Sequence, residues 1–191
     1  GIPAFPCEAT SGHPRNSNCH KHFPSPTQQI TIPRTVPDSG LLLTELLTPD
    51  RIRVPIHASD KPGVLRELTH LLAERAQVDP APLLSAVLER EAVLSTGIGH
   101  GIAIPHAKVA AVSDLSLVCG SHPGGVDFEA LDGAPVRLFF LLIGPESAAG
   151  QHVKALSRIA RLVRRESVRE ALMGAATPAE FNQLLVEAEE R

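Results

Sequence analysis

Hydrophobic and polar positions follow no period over residues 1–40 and a clear one afterwards. In "RIRVPIHA", Ile52, Val54 and Ile56 alternate with Arg51, Arg53 and Pro55, the period of two of a strand with one wet face. Pro55 has no N–H for a ladder, which places that strand at a sheet edge. "SDKPGVLRELTHLLAERA" then puts Val64, Leu65, Leu68, Leu71 and Leu72 on one helical stripe, with Ser59 or Asp60 as its cap. Asp79 and Pro80 open a second helix whose apolar face carries Leu83, Leu84, Val87 and Leu88.

Further along, "LSLVCG" and "VRLFFLLIGP" read as strands, the second apolar throughout from Leu138 to Ile143, as a strand buried on both faces requires. Three helices close the chain. One carries Ala155, Leu156, Ile159, Leu162 and Val163, and a short one spans about Val168 to Leu172. The last opens at "TPAE", where Thr177 and Glu180 form a capping box with Pro178 at the first helical position. Strands and helices mixed in this order predict an α/β sandwich with a small, partly parallel sheet over residues 41–191. Residues 1–40 hold seven of the 17 prolines together with many Ser, Asn and Thr. That composition buries too little apolar surface to offset the entropy of ordering, so a disordered Pro-rich extension is expected. "CHKH" at Cys19 to His22, with Cys7 and His13 upstream, lacks the paired spacing of a zinc site and reads as a polar tail rather than a metal centre.

Composition narrows the classes. A net charge of −3 offers no basic field for nucleic acid, and six Phe with no Trp or Tyr make no base-stacking platform. Three cysteines are no disulfide framework for 191 residues. No apolar run reaches the ~20 residues of a membrane span and no signal peptide is visible, so the chain reads as soluble and cytoplasmic, without direct membrane insertion.

The chemistry centres on "GIGHGIAIPHAK", Gly97 to Lys108. Close glycines let the backbone bend, and Pro105 fixes the direction in which His106 leaves the chain. A dinucleotide fingerprint would need glycine at Ile102 and a helix directly after, which Pro105 opposes. No phosphate-binding P-loop, G-x-S-x-G elbow, H-E-x-x-H or C-x-x-C occurs. Two other residues are candidate partners of His106. His152 belongs to the inward stripe of its helix in or next to the first turn, where the helix dipole disfavours imidazolium and attracts an anion. Arg90 flanks the buried face of the second helix, with Glu89 and Glu91 beside it as ordinary ion-pair partners. Two histidines, an arginine and a helix N-terminus suit phosphoryl transfer, since neutral imidazole is a nucleophile near pH 7 and a guanidinium fork matches phosphoryl oxygens. His100 reads as an exposed loop residue.

"STGIGHGIAIPHAK" resembles the signature of the type-2 A domains of the bacterial phosphoenolpyruvate-dependent phosphotransferase system, which comprise mannitol, fructose and nitrogen-regulatory A proteins. The resemblance covers about Leu41 to Glu189 and implies a five-stranded mixed sheet between helices. It implies that His106 is phosphorylated through Nε2 by an HPr-type carrier. It carries the family arginine, 16 residues upstream, onto Arg90 and the second histidine, about 46 downstream, onto His152. Thr96, Gly97 and Gly99 become supports of the phosphate loop, and neither a cofactor nor a metal is implied. The signature departs from the family at His100, where Asn is usual. No fused B or C domain fits in this chain, which favours a stand-alone nitrogen-regulatory protein acting on regulatory target proteins. A sugar-specific component passing phosphate to a IIB domain, and an interaction module never phosphorylated, are the alternatives.

Overall fold

The fully apolar strand expected around Leu138 to Ile143 forms and lies at the centre of the sheet. The computed structural model describes residues 41–190, so the readings of the Pro-rich stretch and of "CHKH" lie outside the described residues. The elements run α1 (Leu43–Leu46), β1 (Ile52–Arg53), α2 (Lys61–Ala76), α3 (Pro80–Val93), β2 (Gly97–Gly99), β3 (Ile102–Ala103), β4 (His106–Lys108), β5 (Ser116–Val126), β6 (Val136–Gly144), α4 (Ala149–Val163), α5 (Glu166–Gly174) and α6 (Pro178–Glu190).

The sheet is mixed, in the order β1-β5-β6-β3-β2, with β4 also on β6. It has six strands rather than five because the glycine segment folds as three short pieces. β5 runs antiparallel to β6, whereas β3 and β4 run parallel to it, opposite Leu138–Phe139 and Leu142–Gly144. Strand alternation then sorts β6 between two cores. Leu138, Phe140 and Leu142 pack with Ala155, Ile159 and Phe181 under α4 and α6, while Phe139, Leu141 and Ile143 pack with Leu65, Leu68 and Val87 under α2 and α3. Each of these large side chains contributes about 1.5–3 kcal/mol when removed from water.

Helix ends follow the sequence closely. Asp60 caps α2 by accepting the Gly63 N–H at 2.7 Å, and Asp79 caps α3 through the Ala81 N–H at 3.0 Å. Thr177 Oγ1 accepts the Glu180 N–H (3.1 Å), but the Glu180 carboxylate takes the Ala176 N–H (2.8 Å), one residue before the one a capping box uses. Elsewhere the structure departs from the pattern. The edge strand stops at Arg53, and Ile56 joins the α2–α3 core on the face opposite Ile52. Leu88 is exposed and Leu84 half-buried, because the inward stripe of α3 is Leu83, Val87 and Glu91. And α1 was not foreseen: its first amides, those of Leu43 and Thr44, are both bound by the Glu189 carboxylate at 2.9 Å, from the far end of the chain.

Candidate active site

Pro105 interrupts the chain between β3 and β4 without interrupting the sheet. The Ile104 N–H on one side reaches the Thr96 carbonyl (3.0 Å), and the Pro105 carbonyl accepts the Leu142 N–H (3.0 Å). The missing proline N–H falls where no ladder bond is needed, and His106 follows as the first residue of β4. Its Nδ1 lies 2.9 Å from the Ile104 carbonyl oxygen. A carbonyl can only accept, so in the neutral ring Nδ1 carries the proton and Nε2 keeps its lone pair. Arg90 Nε donates to that Nε2 at 3.3 Å, and Arg90 Nη1 is tied to the Leu94 carbonyl at 2.9 Å. Neither Glu89 nor Glu91 pairs with Arg90. Glu89 accepts from the Ser85 hydroxyl, and Glu91 is buried against Thr96 and Lys61.

His152 stands in the first turn of α4, 3% exposed, with its ring centroid 5.9 Å from that of His106 and the planes at 66°. Its pKa is lowered from 6.5 to about 4, first by burial and then by electrostatic interaction with His106 and Lys108, against a smaller opposing effect of Glu146. The ring is therefore neutral near pH 7, as the sequence suggested, with burial as the leading cause. Its buried Nδ1 has no hydrogen-bond partner.

A cleft of about 580 Å³ opens between α3, β4 and α4, lined among others by Arg90, His106, Lys108 and His152. The structure thus brings the three predicted site residues together. Lys108 was not singled out, although the period of two puts it on the same strand face as His106; its Nζ pairs with Glu146 at 3.0 Å. Thr96, Gly97 and Gly99 do not line the cleft. Thr96 stands one step behind it, holding the Ile104 amide. Gly97 permits a close approach, since a Cβ there would meet Ala130 Cα at 2.8 Å. Gly99, His100 and Gly101 turn the β2–β3 hairpin with φ of 91°, 55° and 74°. That left-handed conformation is one Asn adopts more readily than most residues, and here His100 holds it with its N–H on Asp132 at 2.8 Å.

An imidazole whose Nε2 lone pair faces a fixed guanidinium, together with a neutral second imidazole and an ammonium at the rim, suits transfer of a compact multi-oxygen anion. Among the described residues no group of three or more His, Cys, Asp or Glu could hold a metal ion, and no helix is long and apolar enough to cross a membrane.

Comparison with known proteins points to one family. The profile described as "Phosphoenolpyruvate-dependent sugar phosphotransferase system, EIIA 2" matches residues 45–188. The chain is 41% identical over 134 residues to the "PTS system fructose-specific EIIABC component" of Bacillus subtilis, covering 70% of this chain but only 21% of that relative's length. It is 36% identical over 148 residues to a "Nitrogen regulatory protein" of Pseudomonas aeruginosa, covering 77% of this chain and 96% of the relative. Among solved structures, the nitrogen regulatory protein IIA-Ntr from Neisseria meningitidis superposes with a TM-score of 0.71 at 32% identity, over 75% of this chain and 98% of that one.

Proposed function

This chain belongs to the EIIA type 2 family of the phosphoenolpyruvate-dependent sugar phosphotransferase system, and from that premise we propose that it carries a phosphoryl group on His106. One observation carries the assignment to that atom: Nδ1 is occupied by the Ile104 carbonyl, which leaves Nε2 as the nucleophile, beside Arg90. The donor is the phosphohistidine of an HPr-type carrier. As the Nε2 lone pair forms a bond to phosphorus, the donor's N–P bond breaks and its electron pair returns to the donor nitrogen. The positive charge left on the His106 ring is held by its Nδ1–H bond to Ile104. Arg90 turns its donors from Nε2 to the transferring oxygens, and His152, neutral, donates one N–H to them. The protein is thus a phosphotransferase component with a phosphohistidine intermediate.

The branch we propose is nitrogen-regulatory, supported by a nitrogen regulatory relative matched over nearly its whole length and by the IIA-Ntr structure. Similarity to the fructose component supports a second reading, in which phosphate moves on to a IIB domain. Incubating the chain with phosphoenolpyruvate, enzyme I and an HPr-type carrier tests the first step. Acid-labile phosphate appears on the wild type and not on His106→Ala; no incorporation would leave only an interaction module. Adding fructose or mannitol IIB domains then separates the branches, because the nitrogen-regulatory form retains its phosphate.

A further inference from the structure

Glu91 follows Arg90 on α3, yet it is 6% exposed and occupies the core position after Leu83 and Val87. An apolar residue there would continue the stripe and need no partner. The carboxylate is instead fully engaged. One oxygen accepts the Thr96 N–H at 2.9 Å and the other the Thr96 hydroxyl at 2.5 Å. Lys61 of α2 lies 3.1 Å from the same carboxylate and 2.6 Å from that of Glu129, with its Nζ 5.1 Å from the centre of the Phe128 ring. Burial works against the Lys61 charge, but its bonds to Glu129 and Glu91 outweigh that and raise its pKa. A buried ion pair of this kind is weak evidence for stability alone. What it holds is more informative.

Thr96 is the hub of two short paths to the site. Its carbonyl takes the Ile104 N–H (3.0 Å), and the carbonyl of Ile104 takes the Nδ1–H of His106 (2.9 Å). In the same turn, the Leu94 carbonyl anchors Arg90 Nη1 (2.9 Å). We propose that Glu91, charge-paired with Lys61, is a positioning residue that clamps Thr96 and so fixes both the carbonyl that sets the His106 tautomer and the turn that orients Arg90. Its kinetic consequence rests on His106 being the phosphoryl acceptor; its effect on the tautomer does not.

The test is made on the full chain by two-bond ¹H–¹⁵N correlation spectra of the histidine rings, alongside transfer from the phosphorylated carrier. In the wild type the His106 ring shows a protonated Nδ1 and a bare Nε2. Glu91→Gln offers one acceptor where Thr96 presents two donors, and turns an NH₂ toward the other. It shifts His106 toward a mixture of tautomers and slows transfer about tenfold, the effect of one net hydrogen bond, with the carrier KM unchanged. Thr96→Val does the same, whereas Thr96→Ser, which keeps the hydroxyl, restores the wild-type spectrum and rate. If Glu91→Gln does not fold, the Thr96 pair decides. A His106 ring that keeps its wild-type signature in Thr96→Val overturns the proposal, whatever happens to the melting temperature or the rate. A wild type that takes no phosphate refutes the function above, while the ring spectra still decide this point.

Discussion

Replacing Arg90 by alanine removes the donor nearest the proposed nucleophile while leaving the imidazole in place. The guanidinium sits with Nε 3.3 Å from His106 Nε2 and is prevented from wandering by the bond from Nη1 to the Leu94 carbonyl. A preoriented donor aimed where transition-state charge develops is worth about 2.7–4 kcal/mol, or roughly 10²–10³ in rate. Arg90 is only half-buried and the cleft is open to water, so screening puts the loss at the lower end, about a hundredfold. Lysine keeps the charge but loses both the fork and the tie to Leu94, and recovers about tenfold of that loss. Single-turnover quenched-flow transfer of labelled phosphate from the carrier measures both variants, with circular dichroism confirming the fold. Transfer by Arg90→Ala within about threefold of the wild type, less than 1 kcal/mol, would refute this reasoning.

His152→Gln, which keeps an N–H donor, retains most of the transfer rate in the same assay and His152→Ala does not; equal loss in both would assign His152 a proton-transfer role instead. Because the folded pKa of His152 is about 4 against 6.5, the unfolded chain binds a proton between those values that the folded one does not. Wild-type stability therefore falls as pH drops from about 6.5 to about 4, and urea melts of His152→Gln show a shallower fall over that window. Glu189→Ala removes the acceptor of two α1 amides, those of Leu43 and Thr44, and of Arg158 Nε at 2.6 Å; it lowers stability by about 1–3 kcal/mol in urea melts at pH 7. Gly97→Ala drives a Cβ to 2.8 Å from Ala130 and costs about 1–3 kcal/mol by the same measurement.

The readable parts of this sequence are those where a few neighbouring residues decide the outcome. Asp60 and Asp79 cap their helices with their own side chains, and β6 is apolar without a break from Leu138 to Ile143, so neither depends on distant chain. The site was legible for a related reason: Arg90 and His152 lie on helices whose buried face the pattern defines, and Pro105 fixes the direction in which His106 leaves the chain. Failures cluster where the partner comes from far away. Glu91 looks like a solvated neighbour of Arg90 until Lys61 arrives from α2, and α1 exists with a carboxylate 146 residues downstream bound to its first amide. Leu88 shares the apolar face by helical spacing, yet the core takes the narrower stripe of Leu83, Val87 and Glu91 and leaves Leu88 exposed. Lys108 was in plain view two residues after His106, and the strand period alone would have found it.

The most direct test of the central claim is the ¹⁵N and ³¹P spectrum of the chain after incubation with phosphoenolpyruvate, enzyme I and an HPr-type carrier. The tautomer fixed by Ile104 predicts a single phosphohistidine, on His106, with phosphorus coupled to Nε2 and the proton still on Nδ1. Phosphorus on Nδ1, on His152, or on no histidine at all would contradict it.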